Sequence, residues 1–424
     1  MTIEVLRPGM FTTVQDLGRT GYQRYGVTSG GAVDRLSLRM ANLIAGNPLH
    51  APGLEMTMTG GTFLFRRRAR IALCGAFMPA FIGDVLLPMW RPVWVNSGST
   101  LRIGPAAAGL RTYLAVAGGI AVPPVLGGAG TDIRAGFGGC SGRALRAGDV
   151  LAVGRDGLAE GFPEDAAIGR LTEAEMDAAT VYGAGEGRGG GSGISRLDEE
   201  KEDAAQAGNL QKRPMWPHWS ARPWNGGHPQ LELREQSVSP FHAAVFAAVG
   251  GIGHALAEGA PVSPIGPRVN RQNSGSPVVV RFVRGREYDW FTPQSRELLT
   301  GAVFTMSPLS DRMGCRLSGP GLTLLEPREL LSEGVTPGTV QVPARGDPIV
   351  LMADRQPTGG YPRIAQIISV DMPLLGQLRP GDQLRLQEVS LAEAQQELLL
   401  QELGLRQLSA GLQLQARLCG GGLS

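Results

Sequence analysis

Lysine is almost absent from this chain: of its 40 basic residues, only Lys201 and Lys212 are not arginine. Genome base composition accounts for such a bias, yet the bias constrains chemistry. No Gly-x-x-x-x-Gly-Lys-Ser/Thr phosphate loop can be completed, and neither lysine has the Met-Lys-Met setting of a biotinylated carrier. Bound phosphate or carboxylate must then be held by arginines and backbone N–H groups. Histidine is also scarce. His218, His228, His242 and His254 fall in or near a polar central stretch, and His50 follows Asn47-Pro48 in a turn, which leaves no basis for a His-centred triad. Cys74, Cys140, Cys315 and Cys419 show no Cys-x-x-Cys spacing, which argues against zinc, redox and disulfide roles and fits a reducing cytoplasm. No charge excess exists either: 40 basic and 38 acidic residues leave a net charge of +2, so no nucleic-acid footprint is expected. The longest apolar run, Ala243 to Ala257, is interrupted by Gly250, Gly251, Gly253 and His254 and falls short of the ~20 residues that span a bilayer. The first residues read as a strand with no basic and then apolar leader. The expectation is a cytoplasmic protein with no membrane span and no metal held by protein ligands alone.

What is present is β material. Short branched runs separated by turn residues lie at Leu54 to Thr59, Thr62 to Phe65, Arg70 to Cys74, Val93 to Val95, Leu101 to Ile103, Thr112 to Val116 and Val150 to Val153. Such a series predicts an antiparallel β architecture rather than βαβ units. One segment departs from it: Asp34 to Gly46 carries Leu36, Met40, Leu43 and Ile44 at helical spacing, with Asp34 as N-cap, Gly46 as C′ and Pro48 beyond. That predicts a helix covering a sheet or barrel. From Arg155 the composition changes to a glycine run (Gly183 to Gly193), a charge cluster (Asp198 to Asp203) and a stretch rich in Pro, Trp and His (Arg213 to His228). The expected organisation is therefore an N-terminal β domain (1–154), a flexible insertion (155–277) with a short helix over His242 to Glu258, a C-terminal β domain (278–390), and a helix from Leu391 to about Leu403 leading into a poorly patterned tail (391–424). Ser390 and Glu393 stand at capping-box spacing before that helix. Arg379-Pro-Gly-Asp-Gln-Leu-Arg-Leu echoes Arg146-Ala-Gly-Asp-Val-Leu-Ala-Val, as two barrels closing in the same way require.

The segment with the densest chemistry is Asp354 to Pro362, a polar stretch with Gly359-Gly360 set between the apolar runs Ile349 to Met352 and Ile364 to Ile368. Paired glycine permits positive φ and close approach of backbone N–H groups to an anion or amide; the alternative is an ordinary hairpin turn. Further polar turns are Gln15 to Arg19, Gly30 to Asp34, Ser310 to Gly314 and Gln341 to Pro343. Each reads either as a turn with a capping carboxylate or as part of a site. Asp16, Arg19, Asp311, Arg312, Asp354 and Tyr361 together supply acid, base and oxyanion-binding groups without histidine.

In this order the motifs resemble the allophanate hydrolase subunit 2 family, also called the biotin-dependent carboxyltransferase family, and within it the branch of 5-oxoprolinase C-type chains. The stretches that carry the resemblance are Thr12 to Gly21, Leu38 to Pro48, Tyr113 to Ile120, Ser310 to Gly314, Val340 to Pro343 and Asp354 to Pro362. The resemblance implies two mostly β domains with cyclophilin-like barrel character. It implies action with B-type and A-type partner subunits in the ATP-dependent opening of 5-oxoproline to glutamate, with Mg on the nucleotide. It places catalysis on Asp354, Asp311 and Tyr361, and ligand binding on Asp16, Arg19, Arg312, Gln341, Arg355, Gln356, Thr358, Gly359 and Gly360. Two other roles stay open: carboxyl transfer to a urea-like acceptor from biotin on a separate chain, and non-catalytic regulatory binding. The sequence departs from the family at two places. Gly127-Gly128-Ala129-Gly130-Thr131-Asp132 stands where members carry Gly-Ser-x-Ser-Thr-Asp, and Pro357 replaces a threonine, removing a hydroxyl and an N–H donor.

Overall fold

The computed structural model of the chain describes residues 2–155, 276–328 and 330–420. The expected insertion with its histidines, tryptophans and short helix lies outside the described residues, as do residues 421–424.

The first half is two facing antiparallel sheets. In one, β11 (Val150–Ala152), β1 (Thr2–Arg7), β4 (Thr62–Phe65), β9 (Thr100–Ile103), β6 (Ala80–Ile82) and β7 (Val85–Leu87) are neighbours in that order. In the other the order is β2 (Phe11–Gln15), β3 (Gly53–Thr57), β10 (Ala108–Val116), β5 (Ala69–Phe77) and β8 (Val93–Val95). Ile3, Val5, Phe63, Phe65 and Leu101 of the first sheet meet Val14, Leu54, Met56, Ile71, Leu73 and Leu114 of the second. Strands β5 and β10 are buried along nearly their whole length, because both of their faces are covered. Their large residues point into the sandwich, while the smaller Ala72, Cys74 and Ala115, with Tyr113, lie under helix α1 (Arg35–Ile44). Asp34 caps α1 by accepting from Ser37 N at 2.9 Å, as the sequence predicts.

The second half closes into a barrel in the order β12 (Val278–Arg284), β19 (Arg363–Ile367), β16 (Thr339–Gln341), β17 (Ile349–Leu351), β14 (Gly314–Ser318), β13 (Phe304–Met306) and β20 (Gln383–Glu388), with β20 running parallel to β12. Val280, Phe282, Phe304, Leu317, Val340, Val350, Ile364 and Leu384 fill it. Helices α2 (Pro293–Gly301) and α3 (Met372–Gln377) accompany the barrel. The chain is mainly β, as expected.

Three local expectations change. β17 and β19 are not a hairpin: each pairs with β16, which lies between them, so the Asp354–Pro362 segment is a crossover past the end of a strand. Neither Gly359 nor Gly360 has positive φ. Gly359 sits in a two-residue strand, β18 (Thr358–Gly359), against β15 (Glu333–Gly334), and a Cβ there would overlap Gln341 Nε2; the demand for glycine is steric. Finally, the tail is helical: α4 spans Leu391–Gly420, because Leu405 and Leu408 bury against α1 and Arg39 forms a bidentate pair with Glu402 at 2.5 and 2.6 Å.

Candidate active site between the domains

The site grows from two turns of the first domain. After β2 the chain turns at Asp16 to Arg19, and before α1 it turns at Ser29 to Gly31. Arg19 N donates to Ser29 O and Ala32 N to Asp16 O, each at 2.8 Å. Gly18 and Gly31 meet back to back, so close that a Cβ on either would strike the other turn's backbone. Asp16 then gathers a third loop: it accepts from Gly18 N at 2.8 Å and from Ala129 N at 2.6 Å. Asp16 is thus a structural clasp, and it brings Gly128 to Asp132 against Arg19.

The second domain adds Arg312 and Asp354. Arg312 donates to Asp354 through Nε at 2.7 Å and Nη2 at 2.9 Å, to Gly31 O at 2.8 Å, and to Glu55 of β3. Glu55 is 1% exposed and also accepts from Val33 N at 3.0 Å and Tyr113 Oη at 2.8 Å. Burial works against the Glu55 charge, but Arg312 and Arg111 outweigh it and hold this carboxyl below its usual range. Burial likewise opposes the Arg312 charge, and Glu55 and Asp354 reverse that. Burial, then the charges of Glu55 and Asp34, push the Tyr113 phenol well up, so it remains a donor to Glu55. The ion pair crosses the domain boundary and fixes Asp354 beside Gly30.

Two arginines remain without a carboxylate. Arg19 and Arg355 are each 2% exposed, and among the described residues neither forms an ion pair. Arg355 donates to Val335 O at 3.2 and 3.1 Å and to Ser29 Oγ at 2.9 Å; burial and the neighbouring Arg35 push its pKa down to about 10. Arg19 donates to Val125 O at 3.3 Å and Gly130 O at 2.6 Å and stacks on Phe137, leaving Nη1 buried without a partner. Buried cations without a counter-charge are costly, and the uncompensated charge of Arg355 suits a carboxylate or phosphate.

The remaining predicted residues lie apart from this cluster or at its edge. Asp311 caps its own turn, accepting from Met313 N at 2.8 Å and Gly314 N at 3.1 Å. Gln341 is buried and donates to Tyr361 O at 3.4 Å. Gln356, Thr358 and Tyr361 are exposed, and Gly360 packs near Leu330 and Ser332. Glu55, Tyr113 and Gln377 are polar members of the buried network that sequence reasoning missed. An isolated glutamate inside Gly53-Leu-Glu-Met-Thr57 was the available signal.

The family departure has a visible consequence. With glycine at 130, Gln15 Oε1 is buried without a partner, while Gln15 Nε2 is committed to Thr13 Oγ1 and Thr131 O. The space on the Gly130 side, where family members carry a serine, borders Gln15 Oε1 and Asp16 Oδ1. Thr131 and Asp132 keep structural bonds, Thr131 Oγ1 to Val14 O at 2.9 Å and Thr28 Oγ1 to Asp132 at 2.7 Å. A recess of about 740 Å³ elsewhere, at Arg7, Thr59, Phe81 and Arg102, is lined by no carboxylate, histidine or cysteine.

Residues 25–185 and 238–388 match the family described as carboxyltransferase domain, subdomain A and B. The chain belongs to that family. The match reaches further into the central segment than the sequence motifs do and ends before α4. The chain is 32% identical to the C-type chain of the 5-oxoprolinase of Escherichia coli K12 over 393 residues, covering 92% of this chain and 93% of that protein. A shorter match, 43% over 157 residues, joins 37% of this chain to 9% of the urea amidolyase of Lachancea kluyveri. In fold, the structure of the K. lactis urea amidolyase superposes with a TM-score of 0.66 at 24% identity, covering 96% of this chain, which spans 20% of that one.

Proposed function

We propose that this chain is the C-type component of an ATP-dependent 5-oxoprolinase, acting with A- and B-type partner subunits to open the lactam to glutamate. The observation that carries the reading is the near full-length similarity to a protein of that name; the domain-boundary cluster supplies a chemical rationale. Lactam opening is slow because the amide is a poor electrophile and its nitrogen a poor leaving group. ATP would supply phosphorylation of the amide oxygen, which relieves both. Arg355 fits an anionic ligand, offering a buried cation to a carboxylate or phosphate; Arg19 has a buried donor with no acceptor among the described residues. Magnesium would arrive on the phosphates of the nucleotide. In this reading Asp354, held by Arg312, would accept a proton. The test is 5-oxoproline-dependent ADP release by the assembled complex. Asp354→Asn and Arg312→Ala are each expected to lower kcat by about 100-fold or more, the scale of a lost general base or charge contact. Unchanged turnover in both would remove this cluster from catalysis.

The family description and the urea amidolyase match favour a second reading, carboxyl transfer from biotin on another chain to a urea-like acceptor. Transfer from a supplied biotinylated carrier, with no lactam-dependent ADP release, would select it.

A further inference from the structure

Two polar groups converge on Gly30 from opposite domains. Among the described residues and beyond its chain neighbours, a Cβ built on Gly30 would have two heavy atoms within 4 Å: Arg19 Nη1 at 3.4 Å and Asp354 Oδ1 at 3.9 Å. Arg19 Nη1 is buried and unpartnered, and the rest of that guanidinium is fixed by Val125 O, Gly130 O and the Phe137 ring. Asp354 Oδ1 accepts one bond, from Arg312 Nη2 at 2.9 Å, and a carboxylate oxygen has capacity for another. A donor lacking an acceptor therefore stands beside an acceptor with spare capacity, over a residue with no side chain.

The ligand edge that matches must present an acceptor and a donor together. A carboxylate would satisfy Arg19 and be repelled by Asp354; an ammonium would do the reverse. A trans amide points its C=O and N–H in opposite directions. An amide locked cis, in a small lactam or a cyclic urea, presents both on one side. We infer that Gly30 is the floor of a cis-amide subsite in which Arg19 Nη1 donates to the amide oxygen and Asp354 Oδ1 accepts from the amide N–H. This rests on the oxoprolinase reading and deepens it by naming how the lactam is recognised. Gly30 and Arg19 are both buried.

The test uses the full chain in complex with its partner subunits and two ring analogues. 2-Pyrrolidone keeps the cis N–H, whereas γ-butyrolactone replaces it with oxygen at nearly the same size. 2-Pyrrolidone is expected to compete with 5-oxoproline, and γ-butyrolactone to bind at least about tenfold more weakly, the scale of a buried hydrogen bond lost. Gly30→Ala is expected to raise the KM for 5-oxoproline by at least about tenfold and to erase the distinction between the analogues. Equal competition by the two rings, or an unchanged KM in Gly30→Ala, overturns the subsite while wild-type turnover leaves the functional reading standing. If wild-type turnover is absent, the functional reading fails. Saturation-transfer NMR with the same two rings then decides the subsite by itself: a signal confined to 2-pyrrolidone supports it, and equal signals overturn it. The ring comparison is made on unaltered protein and stands even if Gly30→Ala does not fold.

Discussion

At the scale of single residues, Glu55 ties the two halves together. It holds Arg312 across the domain boundary while accepting from Val33 N and Tyr113 Oη. Removing one member of a buried ion pair leaves the other charge uncompensated, at about 3–5 kcal/mol. Glu55→Gln keeps the shape and some of the hydrogen bonds, and Asp354 still partners Arg312, so about 2–3 kcal/mol is expected, read as a lower urea midpoint with unchanged slope. Asp149 offers a pH test. Its hydrogen bonds from Arg143, at 2.8 Å each, are the main cause that lowers its pKa to about 2. A folded pKa below the unfolded value near 3.9 means that the stabilisation is present above about pH 4 and is lost as pH falls toward 2. Asp149→Asn should therefore melt below wild type at about pH 6, with the gap closing between about pH 4 and 2. A gap that persists at the acid end would assign the effect to packing. The arginines of the site were legible in the sequence because scarcity of lysine and histidine left few other candidates. Glu55 and Gln377 were not, since a glutamate in a strand and a glutamine ending a short helix carry no local sign of which distant atoms they will meet.

Among the elements, capping and turn chemistry read well from the sequence because both are settled within a few residues. Asp34 caps α1, and Gly46 closes it at φ 77°. The echoed Gly-Asp turns adopt the same bond: Asp149 Oδ2 accepts from Arg146 N and Asp382 Oδ2 from Arg379 N, both at 2.7 Å. Each turn feeds a strand that pairs with the first strand of its half, but β11 runs antiparallel to β1 and β20 parallel to β12. Only the second half closes into a barrel, so the two halves do not close in the same way. What failed was long-range. The Asp354–Pro362 flanks look like a hairpin because the intervening partner, β16, comes from earlier in the chain. The length of α4 was underestimated because Gly404 and Gly411 interrupt its pattern, while the Leu405 and Leu408 contacts that order it lie on α1. Leu405 is 1% exposed, and Leu405→Ala is expected to cost about 2–4 kcal/mol. Calorimetry showing no loss would mean that α4 is dispensable to the folded domain.

Across the molecule, the two halves are joined by bonds that neither can satisfy alone. Gln377 of α3 accepts from Leu110 N and Arg111 N at 3.0 Å each and donates to Asp34 at 2.8 Å. Arg379 reaches Gly109 O at 2.6 Å and Ala106 O at 2.7 Å. Together with the Glu55–Arg312–Asp354 bridge, these contacts align the turn at Ser29 to Gly31 with the crossover after β17, and that alignment creates the candidate site. Sequence motifs from both halves pointed to one family, but only the folded chain brings them to one place. If the proposed function holds, this chain completes a lactam-opening enzyme. The experiment that bears on it most directly is 5-oxoproline-dependent ADP and glutamate release by A- and B-type partners with and without this chain. Turnover is expected only when all three are present. Full turnover without this chain, or a stable three-part complex that releases neither product, would contradict the proposal.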